Sequence, residues 1–182
     1  DVHTHLAMGF FRKLKVDLRA ETPTVAHYLP VTLPVDLDRY SNENFDKASM
    51  FAMKADVSVL GLTGVGMRTT HTAPNLIREM DALGISHSVI LPFDLPVGAR
   101  NSDAFLEVAR DFPRLVPFGS VHPQERDVDG RLDRQIAAGA QGIKLHPNGQ
   151  LIAPDHPKTV HLCRRCGAKG LPVLFHCGPV GS

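Results

Sequence analysis

The chain carries almost no excess of either charge. Its 182 residues hold 20 Lys+Arg against 19 Asp+Glu, a net charge of +1. With no basic run, this argues against a nucleic-acid-binding surface and against a polybasic membrane patch. Cysteine is scarce. Three Cys, an odd number, argue against a disulfide framework and for a reducing, cytoplasmic compartment. No long apolar run exists. The longest, Val57 to Met67, is broken by Gly and Thr and falls far short of the roughly 20 residues a membrane span needs. No charged-then-apolar signal opens the chain. What is present reads as globular: 43% hydrophobic and 21% charged residues, in a chain long enough to bury a core. The chain begins at Asp1 directly in a strand-like run and ends at Ser182 just after another, so both ends read as cuts.

From residue 72 onward, helical periodicity alternates with short apolar runs. Thr72 is placed as an N-cap with Pro74 in the first turn. Leu76, Ile77, Met80 and Leu83 follow at helical spacing, and Gly84 supplies a stop. A second helix starts near Asn101/Ser102, with Phe105, Leu106, Ala109 and Phe112 on one face and Pro113 at its end. A third runs from about Asp129 to Ala138, with Leu132 and Ile136 inward. A fourth runs from about Pro157 to Lys169 and stops at Gly170. The apolar runs between them begin near residues 88, 115, 141 and 171, at intervals of 26 to 30 residues, the length of a strand–loop–helix–loop unit. That pattern predicts an α/β fold with parallel strands buried on both faces, either a (β/α)8 TIM barrel or an open doubly wound sheet. No Gly-rich loop such as GxGxxG follows any of the runs, which weakens the nucleotide-binding open sheet. The first strand, ending at His3 or His5, precedes the next by more than 80 residues. Residues from about 6 to 71 therefore read as an insertion or long loop, with a helix expected from Ser41 to about Lys54. Val57 to Gly66 reads equally as strand or apolar loop.

His3-x-His5 alone says little, since about half of one such pair is expected by chance at this composition. Position makes it informative. Four of the five expected strand ends carry histidine: His3/His5, His122, His146 and His176. Active sites of parallel α/β folds form at the carboxyl ends of strands. Side chains two apart on a strand point the same way, so His3 and His5 present two imidazoles together. Paired imidazoles suit a borderline metal such as Zn²⁺.

These motifs carry a resemblance. Asp1-Val2-His3-Thr4-His5 resembles the first-strand motif of the amidohydrolase superfamily. Gly142-Ile143-Lys144-Leu145-His146-Pro147 and Leu171-Pro172-Val173-Leu174-Phe175-His176-Cys177-Gly178 are similar to its fourth- and fifth-strand motifs. The branch most resembled includes the aminocarboxymuconate-semialdehyde decarboxylase-like enzymes. The resemblance implies a (β/α)8 barrel of which strands 1 to 5 of 8 are present. It implies a catalytic divalent metal, zinc or another, with His3, His5 and His176 as ligands. A further Asp ligand and a catalytic His, the main acid/base, are then expected beyond Ser182. Lys144 and His146 are the catalytic candidates within the chain. In binuclear members a Lys at this position is carboxylated and bridges two metals. A mononuclear site is favoured here, and a binuclear one follows if Lys144 is carboxylated.

Each residue also has a plainer reading. His3 and His5 could be a satisfied core pair, and His176 a packed histidine at a loop start. Asp1 is either an acceptor orienting an imidazole or a solvated terminal residue. Lys144, costly at a buried strand end unless paired or modified, bridges metals, contacts substrate or makes a structural ion pair. His122, before Pro123, is best read as a loop cap. His71, His87, His156 and His161 read as surface or core residues, and His27 touches substrate only if its segment folds over the mouth. Cys163-x-x-Cys166 has no second CxxC to complete a zinc site and reads as small helix-packing side chains. Cys177 has no evident base to make it a nucleophile.

The expected function is that of a metal-dependent hydrolase or decarboxylase of a small, carboxylate-bearing or cyclic substrate. The alternatives are a PHP-type phosphoesterase and a non-catalytic barrel with a decayed site. A small-molecule partner is expected, with no nucleic acid and no membrane. Homo-oligomerisation is left open for the full-length protein. Five strands cannot close a barrel, so residues 1–182 alone are expected to be unstable and inactive.

Overall fold

In the computed structural model, residues 1–9, 15–27, 47–58, 65–98 and 100–177 are described. The helices are α1 (Lys47–Ser58), α2 (Ala73–Ala82), α3 (Asn101–Ala109), α4 (Val128–Ala137), α5 (Pro147–Gln150) and α6 (Pro157–Ala168). The strands are β1 (Ser88–Ile90), β2 (Leu115–Pro117), β3 (Ile143–Leu145) and β4 (Val173–Phe175).

The strand–helix alternation from residue 72 follows the sequence pattern. Helices α2 and α6 carry proline in their first turn, where its missing N–H is not needed. Each is followed by a glycine with positive φ, Gly84 at 67° and Gly170 at 69°, which ends the helix in a conformation other residues resist. Several details differ from expectation: α3 ends at Ala109, before Phe112 and Pro113. Thr72 stands at the N-cap of α2, but its hydroxyl makes no capping bond and is buried without a partner. Leu83 belongs to the exit from α2 rather than its buried face and is 74% exposed. Of the helix expected from Ser41 to Lys54, residues 41–46 lie outside the described residues, and residues 47–54 are helical, within α1 (Lys47–Ser58). It extends past Lys54 because Ala55 and Asp56 carry no breaker. It also takes in Val57 and Ser58, so the start of the ambiguous Val57–Gly66 run is helical. Buried Asp56 then ties the helix end to the following 3₁₀ turn, accepting from the Met67 N–H at 2.7 Å and facing the Arg68 guanidinium at 3.6 Å.

The strands are short and all parallel. β1 pairs with β2, and β3 with β4. A single bridge, Gly119 to Ile143, joins the two pairs. The expected first strand is an extended segment with one bridge, Thr4 to Ile90, rather than a full ladder. It is nevertheless fixed to β1 by three backbone bonds: Thr4 N–H to Val89 O, Val89 N–H to Asp1 O and Leu91 N–H to Thr4 O. The resulting order is 1–5 segment, β1, β2, β3, β4, which is also chain order. A sheet that grows by one strand per crossover in this way is the wall of a barrel-like fold.

Strand alternation divides the side chains. Ile143 and Leu145 pack outward on Leu132 of α4 and Leu162 of α6, all four almost wholly buried. Leu6 and Ile90 pack in a second cluster with Met80 of α2 and Phe105 of α3. Side chains on the opposite face, including His3, His5, Lys144, His146 and His176, therefore project away from the helices. In a flat sheet the first and fifth segments would lie about 19 Å apart, four strand spacings of about 4.8 Å. The ring centroids of His3 and His176 are only 6.5 Å apart. The sheet is therefore strongly curved, with its inner face concave.

A buried polar network braces the end of β1. Asp94 accepts hydrogen bonds from the Ser102 N–H at 3.1 Å and from the Ser102 hydroxyl, and from Arg131 at 3.3 Å. Its own N–H donates to the Ser120 hydroxyl at 3.0 Å. Burial pushes the Asp94 carboxyl above its ordinary pKa, against the pull of Ser102 and Arg131.

Candidate active site

Five side chains meet on the concave face: His3, His5, Lys144, His146 and His176. His3 Nε2 and His5 Nε2 lie 3.1 Å apart. His5 Nδ1 is 2.6 Å from the Leu91 carbonyl oxygen. A carbonyl can only accept, so Nδ1 carries the proton and Nε2 keeps its lone pair. The His146 and His176 rings stack at 3.9 Å with an interplanar angle of 9°.

The electrostatics of the cluster are uniform. Desolvation, more than any other cause, lowers the pKa of His3, of His5 to about 4, of His146 to about 4, and of His176. The Lys144 ammonium lowers all four further. These imidazoles are therefore neutral near pH 7, the state a metal ligand requires. Lys144 is itself pushed down to about 8 by burial. Its Nζ is buried with no hydrogen-bond partner among the described residues, and so is His176 Nε2. No carboxylate bonds to any of the five side chains among the described residues.

As placed, no three His, Cys, Asp or Glu side chains among the described residues form a group that could hold a metal. Pairwise, the donor set still fits a tetrahedral metal. Two Zn–N bonds of about 2.0–2.1 Å place their nitrogens roughly 3.4 Å apart, close to the 3.1 Å between His3 and His5 Nε2. The third imidazole, His176, lies with its ring centroid 6.5 Å from that of His3, and its Nε2 is buried without a hydrogen-bond partner among the described residues.

The other residues singled out by sequence do not hydrogen-bond to these five side chains among the described residues. Asp1 does not orient an imidazole. Its carboxylate accepts from the His3 backbone N–H at 3.0 Å and the Thr4 hydroxyl at 2.9 Å, bracing the segment start. His122 is fully buried and structural, with Nε2 2.8 Å from Gln150 O and Nδ1 accepting from Gln124 N–H at 3.1 Å. His27 pairs with Glu79 of α2 at 2.9 Å. Cys163 and Cys166 lie in α6, and burial raises both thiols, Cys166 to about 11, so neither is a ready thiolate.

The amidohydrolase family model matches residues 1–182, the whole chain. The chain belongs to the amidohydrolase family. Enzymes of this family usually bind a divalent metal. The solved structure of a probable 2-pyrone-4,6-dicarboxylic acid hydrolase from Acinetobacter baumannii, with citric acid bound, is similar at 22% identity and a TM-score of 0.47. The match covers 60% of this chain and 40% of that one, so this amidohydrolase chain spans less than half of that neighbour's length. No curated protein matches the chain significantly in sequence.

The support around His146 has no counterpart in the side-chain pattern of the sequence. One-turn helix α5 begins directly after it, and His146 Nδ1 accepts from the Gly149 N–H at 3.0 Å. Gln150 Oε1 accepts from the His146 N–H at 2.9 Å, and Gln150 Nε2 donates to Asp94 O at 2.9 Å. Phe93 lies against the ring at a tilt of 46°, with centroids 4.9 Å apart. The one available signal was Pro147, a residue suited to the first helical position.

In this amidohydrolase, no described helix is long and apolar enough to cross a membrane.

Proposed function

We propose that this amidohydrolase chain carries the metal centre of a hydrolase or carboxy-lyase acting on a small, carboxylate-bearing or cyclic substrate. The observation that supports the reading best is the meeting of His3 and His5 with His176 across the curvature of the sheet. His3, His5 and His176 would hold one divalent metal, zinc or another. When bound, such a metal supplies a Lewis acid that polarises a substrate carbonyl and activates water.

The chain's own residues do the rest. Leu91 O fixes the His5 ring and its tautomer, as carbonyl partners of ligating histidines do. Phe93 and the stacked His146 and His176 rings line the concave face. Lys144, buried without a partner, is positioned to hold an anionic group of the substrate. Metal analysis of the purified full-length protein tests the reading. Loss of bound metal and of activity in His3→Ala/His5→Ala supports it, and full metal content and activity in that double variant refutes it.

The orphaned Nζ of Lys144 also favours a second reading, a binuclear site bridged by carboxylated Lys144. Intact-protein mass spectrometry separates the two. An added mass of one CO₂, removed by Lys144→Met, marks the binuclear form.

A further inference from the structure

The surroundings of His146 assign it one tautomer. Its Nδ1 lies 3.0 Å from the backbone N–H of Gly149. A backbone N–H can only donate, so Nδ1 is the acceptor and the neutral ring carries its proton on Nε2. That is the reverse of His5, whose Nδ1 faces a carbonyl. The contrast separates two roles within one cluster. His5 offers a lone pair from Nε2, whereas His146 offers a proton.

The ring has little freedom to reverse this. His146 is 8% exposed, stacked on His176 at 3.9 Å and set against Phe93 at 4.9 Å. A side chain at position 149 would put its Cβ 3.1 Å from His146 Nδ1 and 3.4 Å from the Phe93 ring, so glycine lets the donor come this close. Gln150 locks the backbone, accepting from the His146 N–H and donating to Asp94 O. Nε2 makes no hydrogen bond among the described residues, yet it is not among the sealed-off polar atoms. It is the one committed donor of the imidazole cluster left accessible and unspent.

We propose that His146 serves as a fixed neutral donor, its Nε2–H binding an oxygen of the substrate that gains negative charge during reaction, and that it is neither a metal ligand nor a base. This rests on the proposed function for the reaction, but not for the tautomer. A preorganised donor of this kind stabilises developing charge without reorientation, and removing one such donor costs about 10²–10³ in rate.

The test uses ¹⁵N-histidine-labelled full chain, metal-free and zinc-loaded, with acetate as the probe oxyanion. The ring nitrogens are expected to report Nε2–H with an unprotonated, hydrogen-bonded Nδ1, and acetate is expected to shift Nε2 of His146. His146→Gln, which keeps a side-chain N–H, is expected to bind acetate within about threefold of wild type and His146→Phe about tenfold more weakly, the scale of one hydrogen bond. Metal content should be equal in all three. An Nδ1–H tautomer, an Nε2 unmoved by acetate, equal acetate affinity in His146→Phe, or metal loss in His146→Gln would each overturn the proposal. If His146→Phe does not fold, the wild-type tautomer and the Nε2 response still decide it. Failure of every form to bind metal would count against the proposed function and leave the tautomer result standing on its own.

Discussion

Lys144 is the costliest residue of the site. Its ammonium is buried among four imidazoles with no hydrogen-bond partner among the described residues, and burial moves its pKa down to about 8. An unsatisfied buried polar group costs about 1–3 kcal/mol, more when charged. Lys144→Met is therefore expected to raise the stability of the metal-free protein by about 1–3 kcal/mol in urea unfolding, at the expense of activity. A destabilised variant would mean that Lys144 has a partner holding it. The cysteines behave oppositely. Cys163→Ala/Cys166→Ala is expected to leave metal content unchanged by elemental analysis, because both thiols are raised and Cys166 packs in the core. The histidine pattern was legible residue by residue, since period-two alternation carries His3 with His5 and Lys144 with His146. The tautomers were not, because they depend on the Leu91 carbonyl and the Gly149 N–H, which no side-chain pattern encodes.

The helices hold the strands in place by burying one stripe each. Leu132 of α4 and Leu162 of α6 are fully buried against β3 and β4. Truncating either to alanine is expected to cost about 2–5 kcal/mol in urea unfolding. Leu83→Ala is the control, expected to stay within about 0.5 kcal/mol because the side chain is largely exposed. A large loss at Leu83 would place it in contacts that its exposure does not suggest. Helices α2, α3, α4 and α6 were legible in sequence because each repeats its apolar stripe over at least two turns and ends near glycine or proline. Helix α5 was not, since four residues contain no period to read. The failure of Thr72 as a cap has the same origin. Sequence places the hydroxyl at the right position, but packing decides whether it meets an N–H.

The whole sheet enters the site through its curvature. Residues 1–5 and β4 are first and last in the order, and only a concave sheet brings His3 to 6.5 Å from His176. A metal held from both sides ties these ends together, so binding should stabilise the fold by linkage, by about 2.7 kcal/mol at a hundredfold excess over Kd. Zinc is accordingly expected to raise Tm of the wild type and EDTA to reverse it. His176→Ala and His3→Ala/His5→Ala should both abolish the response. A metal centre spanning the sheet is read out by the stoichiometry of bound metal, measured by elemental analysis on wild type, His176→Ala and His3→Ala/His5→Ala. About one metal per wild-type chain is expected of a three-imidazole set, with a large loss in each variant. Wild-type stoichiometry retained in His176→Ala would contradict a centre assembled across the sheet.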